Sequence, residues 1–202
     1  QEVYAETCPQ YLLLDDSVYA KPDFQGAVYV CAPPIRKKED QDCLWEALSR
    51  EDIQTVATDQ CSFTLAQKAL GKDDFTKIPG GLPGVQTRGT LLYTYGVKEG
   101  RITQEQMCKL LSENPAKLYG VYPQKGVLAP ESDADIVVLD PEKESVISAA
   151  THAYNTDNNP FEGFRLRCGI DKVFLRGNLA VDDGQLVKEK LGKYIARGKK
   201  QM

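Results

Sequence analysis

Short apolar runs rich in β-forming residues alternate with segments of helical spacing over the first 122 residues. The runs predict strands near Val3–Glu6, at Ala27–Cys31 and at Ile53–Thr58. Between the last two, Glu39–Ser49 places its apolar residues at helical spacing. This alternation is typical of an α/β fold whose strands are parallel.

Two further helices are predicted after the third run. Val85–Tyr95 is apolar on one side, and Thr103 with Gln106 three residues later forms a capping box. Asn114-Pro115 interrupts the pattern of the second helix, and Ala116–Tyr119 resumes it.

The pattern changes to strands and turns beyond Tyr122-Pro123. Ile136–Leu139, Val173–Leu175 and Leu179–Val181 are the clearest runs, and Gly177-Asn178 between the last two is a hairpin signal. We therefore divide the chain into residues 1–122, 123–186 and a basic tail, 187–202, without a clear apolar face. Because a closed parallel barrel needs eight strands, the three predicted ones indicate a small open sheet or the last part of a barrel.

Composition removes several function classes. The chain has 25 basic and 29 acidic residues and a net charge of −4, which argues against a nucleic-acid surface. No apolar run reaches the roughly 18 residues that a membrane helix needs. Six cysteines without C-x-x-C spacing indicate reduced, mostly buried thiols and a cytoplasmic protein.

Asp59 is the strongest candidate for chemistry. It directly follows the third predicted strand, where catalytic side chains lie in parallel barrels, although an aspartate there is also a common helix cap. The chain has one histidine, His152, far downstream. Asp59 is therefore expected to be one ligand of a metal site whose other ligands lie outside this chain. Cys61 lacks a nearby histidine to activate it as a nucleophile.

Seven sequence blocks, in family order, resemble those of dihydropyrimidinases and bacterial D-hydantoinases. The blocks are Tyr4–Leu12, Pro33–Arg36, Thr58–Phe63, Asp74–Pro79, Ser112–Lys117, Ser132–Asp135 and Asn159–Gly163. The resemblance covers essentially the whole chain. It implies the C-terminal portion of a TIM-type (β/α)8 barrel, then β-sandwich strands and a C-terminal tail.

The same resemblance implies a metal-dependent cyclic amidohydrolase with two divalent metal ions, usually zinc. A carboxylated lysine and histidines hold these ions in the family's N-terminal part, which this chain lacks. Asp59 matches the metal-binding aspartate, which also acts as the catalytic base, and Ala32 and Gly80 match positions whose backbone binds substrate. The family usually has serine at Ala32, asparagine at Gly80 and histidine at Gln60. Gln60 matters most, because an amide cannot act as a protonatable imidazole beside Asp59.

We therefore interpret the chain as the C-terminal part of a hydrolase of dihydropyrimidines or 5-substituted hydantoins. Alone, it is expected to be inactive and to bind no zinc tightly, because a catalytic zinc site usually has three protein ligands. Its expected partners are the missing N-terminal part of the same protein, a small cyclic amide and further copies in a tetramer, but neither nucleic acid nor membrane. The alternatives are a non-catalytic relative, such as the collapsin response mediator proteins, and an independent interaction domain.

Overall fold

A computed structural model describes residues 2–202 as a mixed α/β structure. The α-helices are α1 Pro9–Leu13, α2 Lys38–Ser49, α3 Leu65–Lys68, α4 Arg88–Leu92, α5 Gln104–Cys108 and α6 Asn114–Leu118. The strands are β1 Glu6–Thr7, β2 Thr55–Val56, β3 Ile136–Asp140, β4 Ser145–Val146, β5 Arg165–Leu166, β6 Gly169–Leu175, β7 Asn178–Asp182 and β8 Gln185–Leu186. The helices precede residue 122, and β3 to β8 follow it; the predicted domain division stays a prediction.

The first part contributes a parallel pair of strands. β1 pairs with β2 in the register Glu6 to Thr55 and Thr7 to Val56. The expectation of a strand at Ala27–Cys31, the second of the three predicted, is wrong, because Gln25–Tyr29 is a 3-10 helix. Strand propensity reflects packing and pairing rather than an intrinsic backbone preference, and β2 already pairs directly with β1.

Helices α1, α2, α4 and α5 contribute residues to a hydrophobic core around Trp45 of α2. Its indole Nε1 donates a hydrogen bond to the Leu12 carbonyl at 3.1 Å, so α2 is fixed against α1. The buried residues of this core are Leu12, Trp45, Leu48, Ile53, Val56, Leu92, Ile102, Met107 and Leu110. The core lies beside β2 and thereby supports the chain segment that leads to Asp59.

The helix resumes after Asn114-Pro115 as predicted, but the structure shows no break there. α5 continues through a π-helix at Lys109–Glu113 into α6, so helical structure runs across the proline. A wider turn before Pro115 relieves the clash between its ring and a carbonyl of the preceding turn. The capping box at Thr103 is present as predicted, with Gln106 N donating to Thr103 Oγ1 at 3.1 Å.

The second part contains an antiparallel sheet in the order β3-β6-β7-β8. The hairpin between β6 and β7 is present, but its two central residues are Arg176 and Gly177, since Leu175 pairs with Asn178. Both central residues have positive φ, 47° and 73°. This is the type I′ geometry that matches the twist of paired strands.

The Ser132–Asp135 block links two segments within the second part. Lys125 Nζ pairs with Asp133 at 2.9 Å and also with Asp135. Asp135 Oδ1 accepts the Arg176 backbone N–H at 2.8 Å, which links this cluster to the β6–β7 hairpin.

No helix among residues 2–202 has the length and apolarity to cross a membrane.

Candidate functional site

Asp59 lies in a tight turn after β2. Its φ is 48°, a left-handed conformation that aspartate tolerates better than most residues, and its side chain is exposed. The preceding carbonyl, of Thr58, accepts a hydrogen bond from the buried Gln10 side chain of α1 at 3.2 Å. Asp59 does not cap a helix, because the next helix, α3, is capped by Thr64. Its carboxylate is therefore held at the end of the parallel pair and faces solvent.

The segments that carry Ala32 and Gly80 are direct neighbours. Gly81 N donates to the Val30 carbonyl at 2.9 Å. A Cβ placed on Gly80 would lie 3.8 Å from the Cα of Cys31, so the two backbones run side by side. Ala32 and Gly80 are both exposed.

The Gly80 loop also touches the segment that follows Asp59. Cys61 N donates to the Leu82 carbonyl at 3.1 Å. Gly81 packs so closely on Cys61 that a Cβ there would collide with the Cys61 carbonyl, and its φ of +151° is one that L side chains rarely adopt. The structure thus brings the segments of Ala32, Asp59 and Gly80 together, with Gly81 at their junction. The sequence signal for Gly81 is the Gly80-Gly81 pair in a proline-containing loop.

Gln60 acts as a hydrogen-bond acceptor. Its side-chain Oε1 accepts from Gly84 N at 3.1 Å and from Val85 N at 2.9 Å. These bonds tie the residue after Asp59 to the start of the segment leading to α4. Accepting two N–H groups requires no titratable proton, so the amide provides a structural contact that the sequence interpretation overlooked.

Lys68 is a second residue that the sequence interpretation missed. It ends α3, is 2% exposed and donates from Nζ to the carbonyls of Val30, Pro79 and Gly81 at 2.9, 2.8 and 3.1 Å. Burial lowers the pKa of its ammonium from 10.5 to about 8. Lysine is rarely buried, so the sequence gives no signal that this side chain is buried.

His152 belongs to a loop that packs on the turn after Asp59. Its Nε2 bonds with the Thr156 carbonyl at 2.9 Å, within its own loop. Thr156 Oγ1 and Asn158 Nδ2 each donate to the Phe63 carbonyl at 2.8 Å. The chain's single histidine therefore helps to order a loop that supports Phe63.

Comparisons with known proteins place the chain in a family. The model of the amidohydrolase family matches residues 21–180. The chain belongs to the amidohydrolase family. It is 48% identical over 199 residues to a D-hydantoinase of Geobacillus stearothermophilus, covering 98% of this chain and 42% of that protein. It is 43% identical over 199 residues to a D-phenylhydantoinase of Escherichia coli strain K12 / DH10B, covering 98% and 43%.

A solved dihydropyrimidinase from Brevibacillus agri NCHU1002 is similar in structure. The TM-score is 0.90 at 48% identity, covering 92% of this chain and 40% of that one. These matches confirm the resemblance drawn from the sequence blocks. The chain spans about two fifths of the length of these relatives.

Metal dependence is general in the amidohydrolase family, and the donors of this chain fit it only in part. Asp59 offers one exposed carboxylate, a suitable ligand for a divalent cation. The described residues contain no group of three or more His, Cys, Asp or Glu side chains that could hold a metal ion. Burial, with the charges of Glu6 and Asp59, raises the pKa of the nearby Cys8 thiol to about 12. A complete centre would need ligands from outside these residues.

Proposed function

We propose that the full-length protein carrying this chain hydrolyses the ring amide of dihydropyrimidines or 5-substituted hydantoins, giving N-carbamoyl amino acids. The chain would form its C-terminal part. Residues 1–122 would complete the metal-dependent barrel, residues 123–186 would belong to the β-sandwich and residues 187–202 would form a tail. The convergence of the segments of Asp59, Ala32 and Gly80 carries the proposal, and the hydantoinase names of the relatives support it.

Asp59 would bind metal and move protons. Two divalent cations, zinc in this proposal, make an activated water available near neutral pH when they are bound. Asp59 would contribute one ligand to them, and the remaining ligands would come from the N-terminal part. The Asp59 carboxylate would accept the proton of the attacking water and later deliver a proton to the leaving ring nitrogen.

Ala32 and Gly80 would hold the ring through backbone groups. Both residues are exposed beside each other, and neither has a side chain that blocks access to its amide. Backbone contacts survive the loss of the serine and asparagine that the family usually has there. The ring would therefore lie between these two segments, within reach of the Asp59 turn.

The proposal also covers the oligomeric state and the cellular location of the full-length protein. The active protein would be a cytoplasmic homo-oligomer, a tetramer by family resemblance, and this chain alone would be inactive. The second candidate function is a non-catalytic scaffold, which the departures at Gln60, Ala32 and Gly80 favour. The two acceptor bonds of Gln60 weaken that alternative, because they give the departure a structural role.

Substitution of Asp59 in the full-length protein tests the function. Asp59→Asn keeps an oxygen but cannot accept a proton, so we expect turnover to fall by about 10² to 10⁴ with the fold intact. The measurement is ring opening of dihydrouracil and of a hydantoin at saturating zinc. Asp73→Asn, on a nearby exposed loop, is the matched control and should retain wild-type turnover.

Two results would contradict the proposal in different ways. Near-wild-type turnover of Asp59→Asn would remove Asp59 from the mechanism. A wild-type protein that binds its metal but opens neither ring would favour the non-catalytic scaffold.

A further inference from the structure

Lys68 is a buried cation without a carboxylate partner among the described residues. Its side chain is nearly inaccessible to solvent, at 2% exposure. Its Nζ lies 5.7 Å from the centre of the Phe63 ring. Burying an ammonium in this way is unfavourable unless hydrogen bonds compensate for the lost water.

Three carbonyl groups provide that compensation. An ammonium has three N–H donors and no acceptor. Here three acceptors lie within 3.1 Å of Nζ, the carbonyls of Val30, Pro79 and Gly81. Bonds from a charged donor are stronger than bonds between neutral groups. The geometry therefore fits the donor capacity of one lysine, with no donor left over.

The three carbonyls belong to the two segments that carry the proposed substrate contacts. Val30 lies two residues before Ala32, and Pro79 and Gly81 flank Gly80. Apart from Lys68, the backbone hydrogen bond joining these segments runs from Gly81 N to the Val30 carbonyl, at 2.9 Å. Lys68 donates to that same carbonyl and to the two carbonyls on either side of Gly80.

We propose that Lys68 is a positioning residue that fixes the spacing between the Ala32 and Gly80 backbones, and thereby how tightly the cyclic substrate is held. This inference rests on the proposed function. Lys68 would touch neither the ring nor the reacting atoms. Without its ammonium, the Pro79 and Gly81 carbonyls would lose the donor that Lys68 provides, and the Val30 carbonyl would keep only the Gly81 N–H. The two segments would then separate to reach water.

The first test separates binding from turnover in the metal-loaded full-length protein. Lys68→Met keeps the length and apolar stem of the side chain but removes every donor. We expect KM for a hydantoin to rise at least about tenfold while kcat changes less than about threefold. The reason is that the variant would bind the substrate and the transition state more weakly by the same amount, which raises KM and leaves kcat nearly unchanged. Lys72→Met, at an exposed lysine four residues later, is the matched control and should stay within about twofold of wild type in both constants.

The second test does not depend on catalysis. Amide hydrogen exchange of peptides covering residues 28–33 and 78–84 reports the opening of the two segments. We expect exchange in both peptides to be at least about tenfold faster in Lys68→Met and unchanged in Lys72→Met. Lys68→Gln, which keeps two N–H donors on a shorter stem, should be intermediate. It also provides a measurement if the methionine variant does not fold.

The outcomes distinguish this inference from the proposed function. Active wild-type protein whose Lys68 variants keep KM and exchange rates unchanged would overturn the inference and leave the function in place. Wild-type protein that opens no cyclic amide would remove the proposed function, while faster exchange in both segments would still show that Lys68 positions them. Equal losses of kcat in Lys68→Met and Lys68→Gln, with unchanged KM, would also overturn it.

Discussion

Two regions of the molecule, the surroundings of the candidate site and the sheet of the second part, provide hydrogen-bond partners for their backbone N–H and C=O groups in different ways. In the sheet, residues 136–186, repeated strand pairing joins β3, β6, β7 and β8. In the site region, residues 5–88, the paired strands are only two residues long. Individual side chains there form hydrogen bonds to the backbone groups that strand pairing leaves without a partner. Gln10, Gln60 and Lys68 together make six hydrogen bonds to backbone groups there.

This difference predicts where single substitutions act. A ladder distributes its hydrogen bonds over many residues, so the loss of one side chain leaves the backbone paired. A segment held by one ammonium or one amide loses its position when that group is removed. We therefore expect single substitutions in the site region to lower turnover, and single substitutions in the sheet to change mainly the free energy of unfolding.

The largest expected change in unfolding free energy comes from replacing a glycine by alanine, and one such glycine lies in each region. Gly81→Ala would force an L side chain into φ +151° and against the Cys61 carbonyl, so we expect a loss of at least about 3 kcal/mol in unfolding free energy. Gly177→Ala, in the β6–β7 hairpin, meets no atom within 4 Å and should cost only about 1–2 kcal/mol for its φ of +73°. Denaturant unfolding of the full-length protein measures both.

Measuring the turnover of the same two glycine variants tests the difference between the two regions further. Gly81→Ala should also lower hydantoin turnover in the fraction that remains folded, whereas Gly177→Ala should leave turnover unchanged. If both variants lost stability and turnover equally, the distinction between the site region and the sheet would be wrong.

The charged cluster around Lys125, within the second part, should show a smaller effect. Asp135→Ala removes the carboxylate that pairs with the largely buried Lys125 and accepts Arg176 N, so we expect a loss of about 1–2 kcal/mol in unfolding free energy. Asp171→Ala removes an exposed pairing with Lys172 and is the control, with an expected loss below about 0.5 kcal/mol. Equal unfolding midpoints for the two variants would show that the cluster around Lys125 does not stabilise the second part.

Local features of the sequence predicted local structure well. The capping box of Thr103 and Gln106 involves residues three apart, so its geometry depends little on the rest of the chain. The hairpin was also located, although its central residues are shifted by one position. The resemblance named Ala32, Asp59 and Gly80, whose segments the structure brings together.

Features decided by distant partners were not predicted. The run at Ala27–Cys31 has strand propensity, but β1 pairs with β2 instead. The burial of Lys68 depends on carbonyls up to 38 residues away in the chain. The sequence around a lysine gives no sign of such contacts, because its environment is formed only when separate segments meet.

The smallest expected effect concerns Gln60, and it separates an acceptor role from a proton-transfer role. Gln60→Ala leaves the N–H groups of Gly84 and Val85 without their acceptor, so we expect a loss of about 1 kcal/mol in unfolding free energy and about fivefold in turnover. Gln60→His offers an imidazole nitrogen as acceptor for one of these groups and should stay within about twofold of wild type. The pH profile of turnover is the decisive measurement, since an ordinary histidine titrates near pH 6.5. If Gln60→His raised turnover more than about tenfold with a new inflection near that pH, the acceptor role would be secondary to a protonatable group beside Asp59.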